Sequence, residues 1–89
     1  MPSREATVAS AVGLHARPAS LFVQEVARLD VPVKIHKEGK RAVDAKSMLG
    51  VMTLGARCGD VVTLTAEGDG AEEALDRLVA FLEIDHDAS

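Results

Sequence analysis

The spacing of apolar residues switches along the chain between a helical and a strand period, and the order of these switches constrains the fold most strongly. Apolar and polar residues alternate over 33–37 and 61–66, which predicts two strands with one buried face each. Over 17–28 and 71–83 the apolar residues recur every three or four positions, which predicts two amphipathic helices. Strands and helices interspersed within 89 residues indicate an α+β fold.

Weaker patterns predict the remaining elements. Residues 5–10 show a faint alternation that is typical of a first strand. Glu38 and Gly39 form a tight turn in this interpretation, so residues 40–43 should return as a short strand. A short helix is expected within 44–55, and the complete order is then β-α-β-β-α-β-α. We expect residues 1–89 to form a single domain, because nothing along the chain is typical of a linker or a repeat.

The charge is distributed unevenly along the chain. Residues 1–57 contain nine Lys and Arg against five Asp and Glu, whereas residues 58–89 contain one against nine. The basic half suits phosphate and acidic partners, while the overall charge of −4 argues against nucleic acid as the main partner. The single Cys58 fits a reducing compartment, and no stretch is apolar enough to insert into a membrane. A cytoplasmic location is therefore expected.

The stretch Gly-Leu-His-Ala-Arg-Pro-Ala-Ser at 13–20 concentrates the chemistry. Gly13 permits a tight turn after the first strand, and Pro18 suits the first turn of a helix. His15 and Arg17 are then expected at a helix N-terminus, where free backbone N–H groups favour an anion. Both the helix end and Arg17 disfavour the imidazolium, so the His15 pKa should be lowered. A nucleophilic imidazole in this setting is a candidate phosphoryl acceptor.

A second motif, Lys-Ser-Met-Leu-Gly-Val-Met-Thr-Leu-Gly at 46–55, follows the first. With both motifs, in this order, nearly the whole chain resembles the histidine-containing phosphocarrier protein HPr of the bacterial phosphoenolpyruvate-dependent sugar phosphotransferase system. The resemblance implies an open-faced two-layer sandwich, in which three helices cover one side of a four-stranded antiparallel sheet. The chain departs from the common HPr pattern over 38–46, which looks one residue longer and leaves the register of the third strand open.

The resemblance also implies a function. Family members take a phosphoryl group from Enzyme I on Nδ1 of a histidine and pass it to sugar-specific enzyme IIA domains. His15 matches the acceptor and Arg17 matches the family's arginine. The protein would act as a stoichiometric carrier and not as an enzyme, without a cofactor and as a monomer.

Ser47 has two compatible interpretations. Its position before the apolar residues of the short helix predicts an N-cap. In some HPr proteins the matching serine is phosphorylated by HPr kinase/phosphorylase, which would make Ser47 a regulatory site. Gly55 is placed to cap the same helix at its C-terminus.

The second motif also suggests a docking surface. The side chains of Met48, Leu49 and Met52 cannot all point inward from so short a helix, so at least one of them should lie on the surface. Met52 is a better core candidate than Met48. The predicted partner-binding patch consists of Ala16, Ser20, Gln24, Met48, Leu49 and Met52.

Two other functions remain open at this point. One is a regulatory or nitrogen-branch HPr relative, whose phosphorylation state is read by partner proteins. The other is a small ligand-binding regulatory domain in which His15 is inessential. A metal site is not expected, because His36, His86 and Cys58 lack the spacing of metal ligands.

Overall fold

Four antiparallel strands form one sheet in the order β1-β4-β2-β3. The computed structural model describes residues 2–9, 13 and 16–84, with the backbone alone at Ala16. The strands are β1 (Ser3–Thr7), β2 (Val33–Lys37), β3 (Val43–Asp44) and β4 (Val61–Ala66). The central strand β4 pairs with β1 on one side and with β2 on the other. Residue 10 of the predicted first strand, Leu14, His15 and His86 lie outside the described residues, as does the side chain of Ala16.

Three helices cover one face of this sheet. They are α1 (Ala16–Leu29), α2 (Met48–Thr53) and α3 (Ala71–Leu82). The order β-α-β-β-α-β-α and the antiparallel α+β sandwich predicted from the sequence are confirmed. The two long helices match their predicted ranges to within one residue at each end.

The core lies between the helices and the inner face of the sheet. Along β4, Val62 and Leu64 are fully buried, whereas Val61 is 47% exposed, as expected when only one face is covered. Phe22 of α1 is completely buried, and its ring centroid lies 6.4 Å from that of Phe81 in α3. This tilted ring pair joins the two long helices above the sheet.

The first strand is shifted from its predicted range of 5–10. Pairing begins at Ser3, which lies opposite Thr65, although the polar residues there gave little signal. The regular ladder ends at Thr7. Val8 still bonds to the loop before β4, since its N–H donates to Asp60 O and its carbonyl accepts from Gly59 N–H, and the Ala9 N–H then donates to Leu82 O at the end of α3. The alternation of polar and apolar residues does not show where a hydrogen bond to the neighbouring strand is replaced by one to a helix.

The return strand predicted over 40–43 is present as β3, but its range is wrong. Lys40 N–H donates to Lys37 O, so the chain makes a turn there, and β3 starts only at Val43. The observed register places Val43 opposite Ile35. A two-residue turn would instead have placed Ala42 there and turned Val43 to the outer face, because a one-residue slip exchanges the two faces.

The caps of α2 agree with the sequence analysis. Ser47 Oγ accepts a hydrogen bond from Gly50 N–H at 3.1 Å, which satisfies one of the free donors of the first turn. Gly55 follows the C-cap residue Leu54 and has φ of +63°, a conformation that favours glycine.

Candidate functional site

The N-terminus of α1 carries the first motif. The helix begins at Ala16, so His15 immediately precedes it in the sequence, although the imidazole itself is outside the described residues. Arg17 is exposed in the first turn, and Pro18 is buried behind it. Pro18 lacks the N–H that this turn would leave unpaired, so it strengthens the helix start at no cost in hydrogen bonds.

Gly13 holds the approach to this helix against a second loop. It is buried, with φ of +74°. A Cβ atom built on Gly13 would overlap Ala56 O and would lie only 2.8 Å from the Cα of Arg57. Only glycine fits so close to another backbone, so the chain at Gly13 rests on residues 56–57.

The loop between α2 and β4 is itself braced. Lys37 Nζ in β2 lies 2.9 Å from Asp60 Oδ2 and donates to Gly55 O at 3.3 Å. The same Asp60 oxygen accepts from Arg57 N–H at 2.9 Å. The hydrogen bond from Lys37, followed by that from the Arg57 backbone, lowers the pKa of Asp60 below its ordinary value of 3.8. Lys37 and Asp60 therefore hold the surface on which Gly13 rests.

Arg57 is held by Asp60 through its backbone, and its exposed guanidinium helps to lower the pKa of Asp60. Its carbonyl accepts from Asp60 N–H at 2.9 Å, in addition to the contact of its own N–H with the Asp60 carboxylate. The side chain is exposed, and no ion pair joins it to an acid in the described part of the chain. The sequence analysis singled out neither Arg57 nor Asp60. The only signal was their position next to Gly55 and Gly59, in the stretch before the strand predicted over 61–66.

The predicted docking patch spans two adjacent helices, since α1 packs beside α2. On α2, Leu49 is 75% exposed and Met48 is 37% exposed. Met52 is partly buried and packs against the core. On α1, Gln24 is exposed, and its Nε2 donates to Ser20 Oγ at 3.2 Å. The patch thus combines an exposed apolar pair on α2 with polar side chains on the neighbouring helix α1.

The remaining candidate residues in the described part of the chain are His36 and Cys58. His36 lies opposite Thr63 in the sheet, on the face that the helices leave open. Cys58 is an exposed free thiol. Across residues 2–9, 13 and 16–84, no cluster of His, Cys, Asp and Glu is placed to bind a metal ion. The helices in those ranges are too short or too polar to span a bilayer.

Comparison with known protein families gives a match that includes both motifs. The family described as "PTS HPr component phosphorylation site" matches residues 2–83. This chain belongs to the HPr family. The match extends from the residue before β1 to the residue after α3, so it includes every strand and helix described above.

Individual HPr proteins agree with this assignment. The phosphocarrier protein HPr of Streptomyces coelicolor is 47% identical over 82 residues, which cover 92% of this chain and 88% of that protein. The crystal structure of a phosphocarrier protein HPr from Bacillus anthracis superposes with a TM-score of 0.85 at 44% identity, over 91% of this chain and 95% of the other.

A second branch of the family is similar to nearly the same degree. The HPr-like protein Crh of Bacillus subtilis is 43% identical over 83 residues, covering 93% of this chain and 96% of Crh. Its crystal structure superposes with a TM-score of 0.72 over 94% of this chain and 98% of the other, and is described as a dimer with a swapped domain. Membership of the HPr family therefore covers both carriers and HPr-like relatives.

Proposed function

We propose that this HPr-family protein accepts a phosphoryl group from phospho-Enzyme I on Nδ1 of His15 and passes it to sugar-specific enzyme IIA domains. The observation that carries the proposal is the start of α1 at Ala16, immediately after His15, with Arg17 exposed in the first turn. A phosphoryl group on His15 would meet free N–H groups and a guanidinium there, both of which favour negative charge.

The transfer step needs little from the carrier beyond position and charge. The lone pair of Nδ1 forms the new P–N bond while the bond from phosphorus to the donor breaks, and the donor keeps that electron pair. Arg17 and the first turn of α1 stabilise the phosphoryl oxygens on arrival. Hydrogen bonds to charged groups contribute roughly 1.5–3 kcal/mol each, so the group is held but can still be passed on.

The direct test is incubation with Enzyme I, phosphoenolpyruvate and Mg²⁺, followed by mass analysis of the wild type and of His15→Ala. We expect an acid-labile gain of one phosphate in the wild type alone. Proton–phosphorus NMR of the product then identifies the nitrogen that carries the group. No gain in either protein, with Enzyme I shown to be active, would contradict the proposal.

We propose that the patch of Ala16, Ser20, Gln24, Met48, Leu49 and Met52 receives Enzyme I and the enzyme IIA domains. The support is the exposed pair Met48 and Leu49 on α2, the helix that packs against α1. Methionine adapts its shape at low cost, which suits a surface that meets several partners. A Met48→Asp variant that binds Enzyme I as the wild type does would count against this patch.

A regulatory role is the second candidate, and the similarity to Crh favours it. Ser47 is exposed at the start of α2, so its hydroxyl is open to HPr kinase/phosphorylase. A phosphate there would add negative charge next to Met48 in the proposed docking patch. A search of cell extracts for a Ser47 phosphopeptide under carbon excess tests this role, and its absence there would argue against regulation at Ser47.

We expect this chain to be a monomer, whereas the Crh crystal structure is a domain-swapped dimer. Size-exclusion chromatography with light scattering distinguishes the two states for this chain.

We propose that residues 1–89 act as one phosphocarrier domain in the cytoplasm, as expected for a protein that exchanges phosphoryl groups with Enzyme I.

A further inference from the structure

A groove of about 570 Å³ lies at one edge of the sheet. At this edge β2 begins while β3 and β4 end, because each of them runs antiparallel to β2. Helix α1 ends at Leu29, directly before Asp30 in the groove lining. The 14 residues of α1 span about 20 Å, so the groove lies at the far end of this helix from the first motif. It is therefore separate from the proposed phosphoryl site.

Pro32 lies in the middle of the groove. Its neighbours Val31 and Val33 are buried, whereas Pro32 is exposed, as expected where alternate residues face away from the core. Glu67 N–H donates to Pro32 O at 3.3 Å, which continues the pairing of β2 with β4 beyond Val33 and Ala66. The proline ring has no donor or acceptor, so it offers an apolar surface for the uncharged middle of a ligand.

Opposite charges lie on the two sides of Pro32. Glu67 follows β4 on one side, and Lys46 lies in the turn after β3 on the other. Neighbouring strands are about 4.8 Å apart, so the backbones of β4 and β3 are about 10 Å apart across β2. Both side chains are exposed, and neither forms an ion pair with another residue that the structure describes. Both are therefore open to a ligand.

The groove contains three further charged residues. Lys34 lies directly opposite Asp44 in the register of β2 and β3, so these two charges offset each other. Asp44 Oδ1 also accepts from Lys46 N–H at 2.9 Å, which holds the Lys46 backbone in place. Asp30 adds another exposed carboxylate. The excess of carboxylates favours a ligand that carries an ammonium group, and Lys46 provides a partner for a carboxylate.

We propose that this groove binds a short peptide with free termini, whose ammonium group contacts Glu67 and whose carboxylate contacts Lys46. The termini of an extended dipeptide are about 7 Å apart, a distance that the two side chains can bridge from backbones about 10 Å apart. In a single amino acid both charges are attached to one carbon, which is too close to reach both sides. The volume of the groove is typical of small-molecule sites. This binding is independent of phosphoryl transfer.

The probe is alanyl-leucine, added to the full chain and followed by proton–nitrogen NMR. We expect saturable shifts of the backbone amides that border the groove, within residues 30–34, 44–46 and 65–67. Two derivatives test the termini separately: N-acetyl-alanyl-leucine lacks the ammonium group, and alanyl-leucinamide lacks the carboxylate. Each should bind about three- to fivefold more weakly than alanyl-leucine, because each loses one exposed ion pair.

Two variants assign the ends of the peptide. Glu67→Gln should weaken binding of alanyl-leucine by about three- to fivefold and leave binding of the N-acetyl peptide unchanged. Lys46→Gln should weaken alanyl-leucine to the same degree and leave the amide unchanged. The matched controls are Glu38→Gln and Lys40→Gln, because these exposed residues lie in the turn at the other end of β2. Both controls should bind alanyl-leucine as the wild type does.

The alternative outcomes are distinct. If alanyl-leucine causes no saturable shift at the groove, or if all three peptides bind equally, the site does not recognise peptide termini and the inference is wrong. If Glu67→Gln weakens the N-acetyl peptide as much as the free peptide, Glu67 does not contact the ammonium group. None of these measurements uses phosphorylated protein, so the failure of the proposed function would leave this test intact.

Discussion

Lys37 Nζ lies 2.9 Å from Asp60 Oδ2, and this ion pair joins strand β2 to the loop that precedes β4. The two side chains are 26% and 33% exposed, so both stay in contact with water. The pair is tied to the backbone at two further points, through Gly55 O and Arg57 N–H. It therefore stabilises the loop that supports Gly13 and, through it, the approach to His15.

The ion pair should make stability depend on pH. Because the pKa of Asp60 is lowered from 3.8, its contribution is present above that value and is lost as the pH falls below it. We therefore expect Asp60→Asn to lose less free energy of unfolding than the wild type between about pH 6 and about pH 3. Urea unfolding at each pH measures this difference.

The control for this comparison is Glu38→Gln, which removes an exposed carboxylate from the turn after β2. It should follow the wild-type dependence on pH. If Asp60→Asn and the wild type show the same slope, Asp60 does not carry the proposed stabilisation.

The Ser47 cap should be measurable by itself. Ser47→Ala removes the acceptor for Gly50 N–H, and we expect it to lower the free energy of unfolding by about 1 kcal/mol. Ser47→Asp keeps a side-chain oxygen at the cap, so it should stay within about 0.5 kcal/mol of the wild type. Equal losses in both variants would show that the hydrogen bond to Gly50 contributes little to stability.

The elements with strong local patterns were predictable from the sequence. Strand β4 buries every second residue, and helix α3 buries one stripe along its length. Both elements match their predicted ranges closely. Ser47 could be predicted as a cap because N-capping depends only on neighbouring residues. The two motifs likewise carried the family assignment without any tertiary information.

The features that depend on contacts between distant segments were not predictable. The start of β3 at Val43 follows from its pairing with Ile35, and the backbone after β1 bonds first to the loop before β4 and then to Leu82. The ion pair of Lys37 and Asp60 joins residues that are far apart in the chain. Asp60 lies in a loop whose sequence has no periodicity. The roles of His15 and Arg17 remain predictions that the phosphorylation experiment tests.

Two glycines with similar backbone angles should respond differently to alanine. Gly13 and Gly39 have φ of +74° and +84°, so a side chain at either position is strained by roughly 1–2 kcal/mol. A Cβ on Gly39 meets nothing within 4 Å, whereas one on Gly13 overlaps Ala56 O. We expect Gly39→Ala to cost only the backbone strain and Gly13→Ala to cost about 3 kcal/mol or more.

Denaturant unfolding of both variants provides the comparison, and phosphorylation by Enzyme I provides a second one. Gly13→Ala should also slow phosphorylation at a temperature where it is still folded, because the segment before His15 must move away from residues 56–57. Gly39→Ala should be phosphorylated at the wild-type rate. Equal costs for the two substitutions would mean that the contact between Gly13 and residues 56–57 is not formed in solution.

If the proposed docking patch binds Enzyme I, an exposed apolar residue inside the patch should affect phosphorylation more than one outside it. Leu49 is 75% exposed on α2, and Ile84 is 55% exposed after the end of α3. Leu49→Asp and Ile84→Asp make the same chemical change, and each should alter the free energy of unfolding by about 0.5 kcal/mol or less because the side chains are largely exposed. Only Leu49→Asp should raise KM for phospho-Enzyme I, since it places an acid in the proposed interface. If both variants raise KM equally, general charge repulsion explains the effect, and Leu49 does not belong to a specific docking surface.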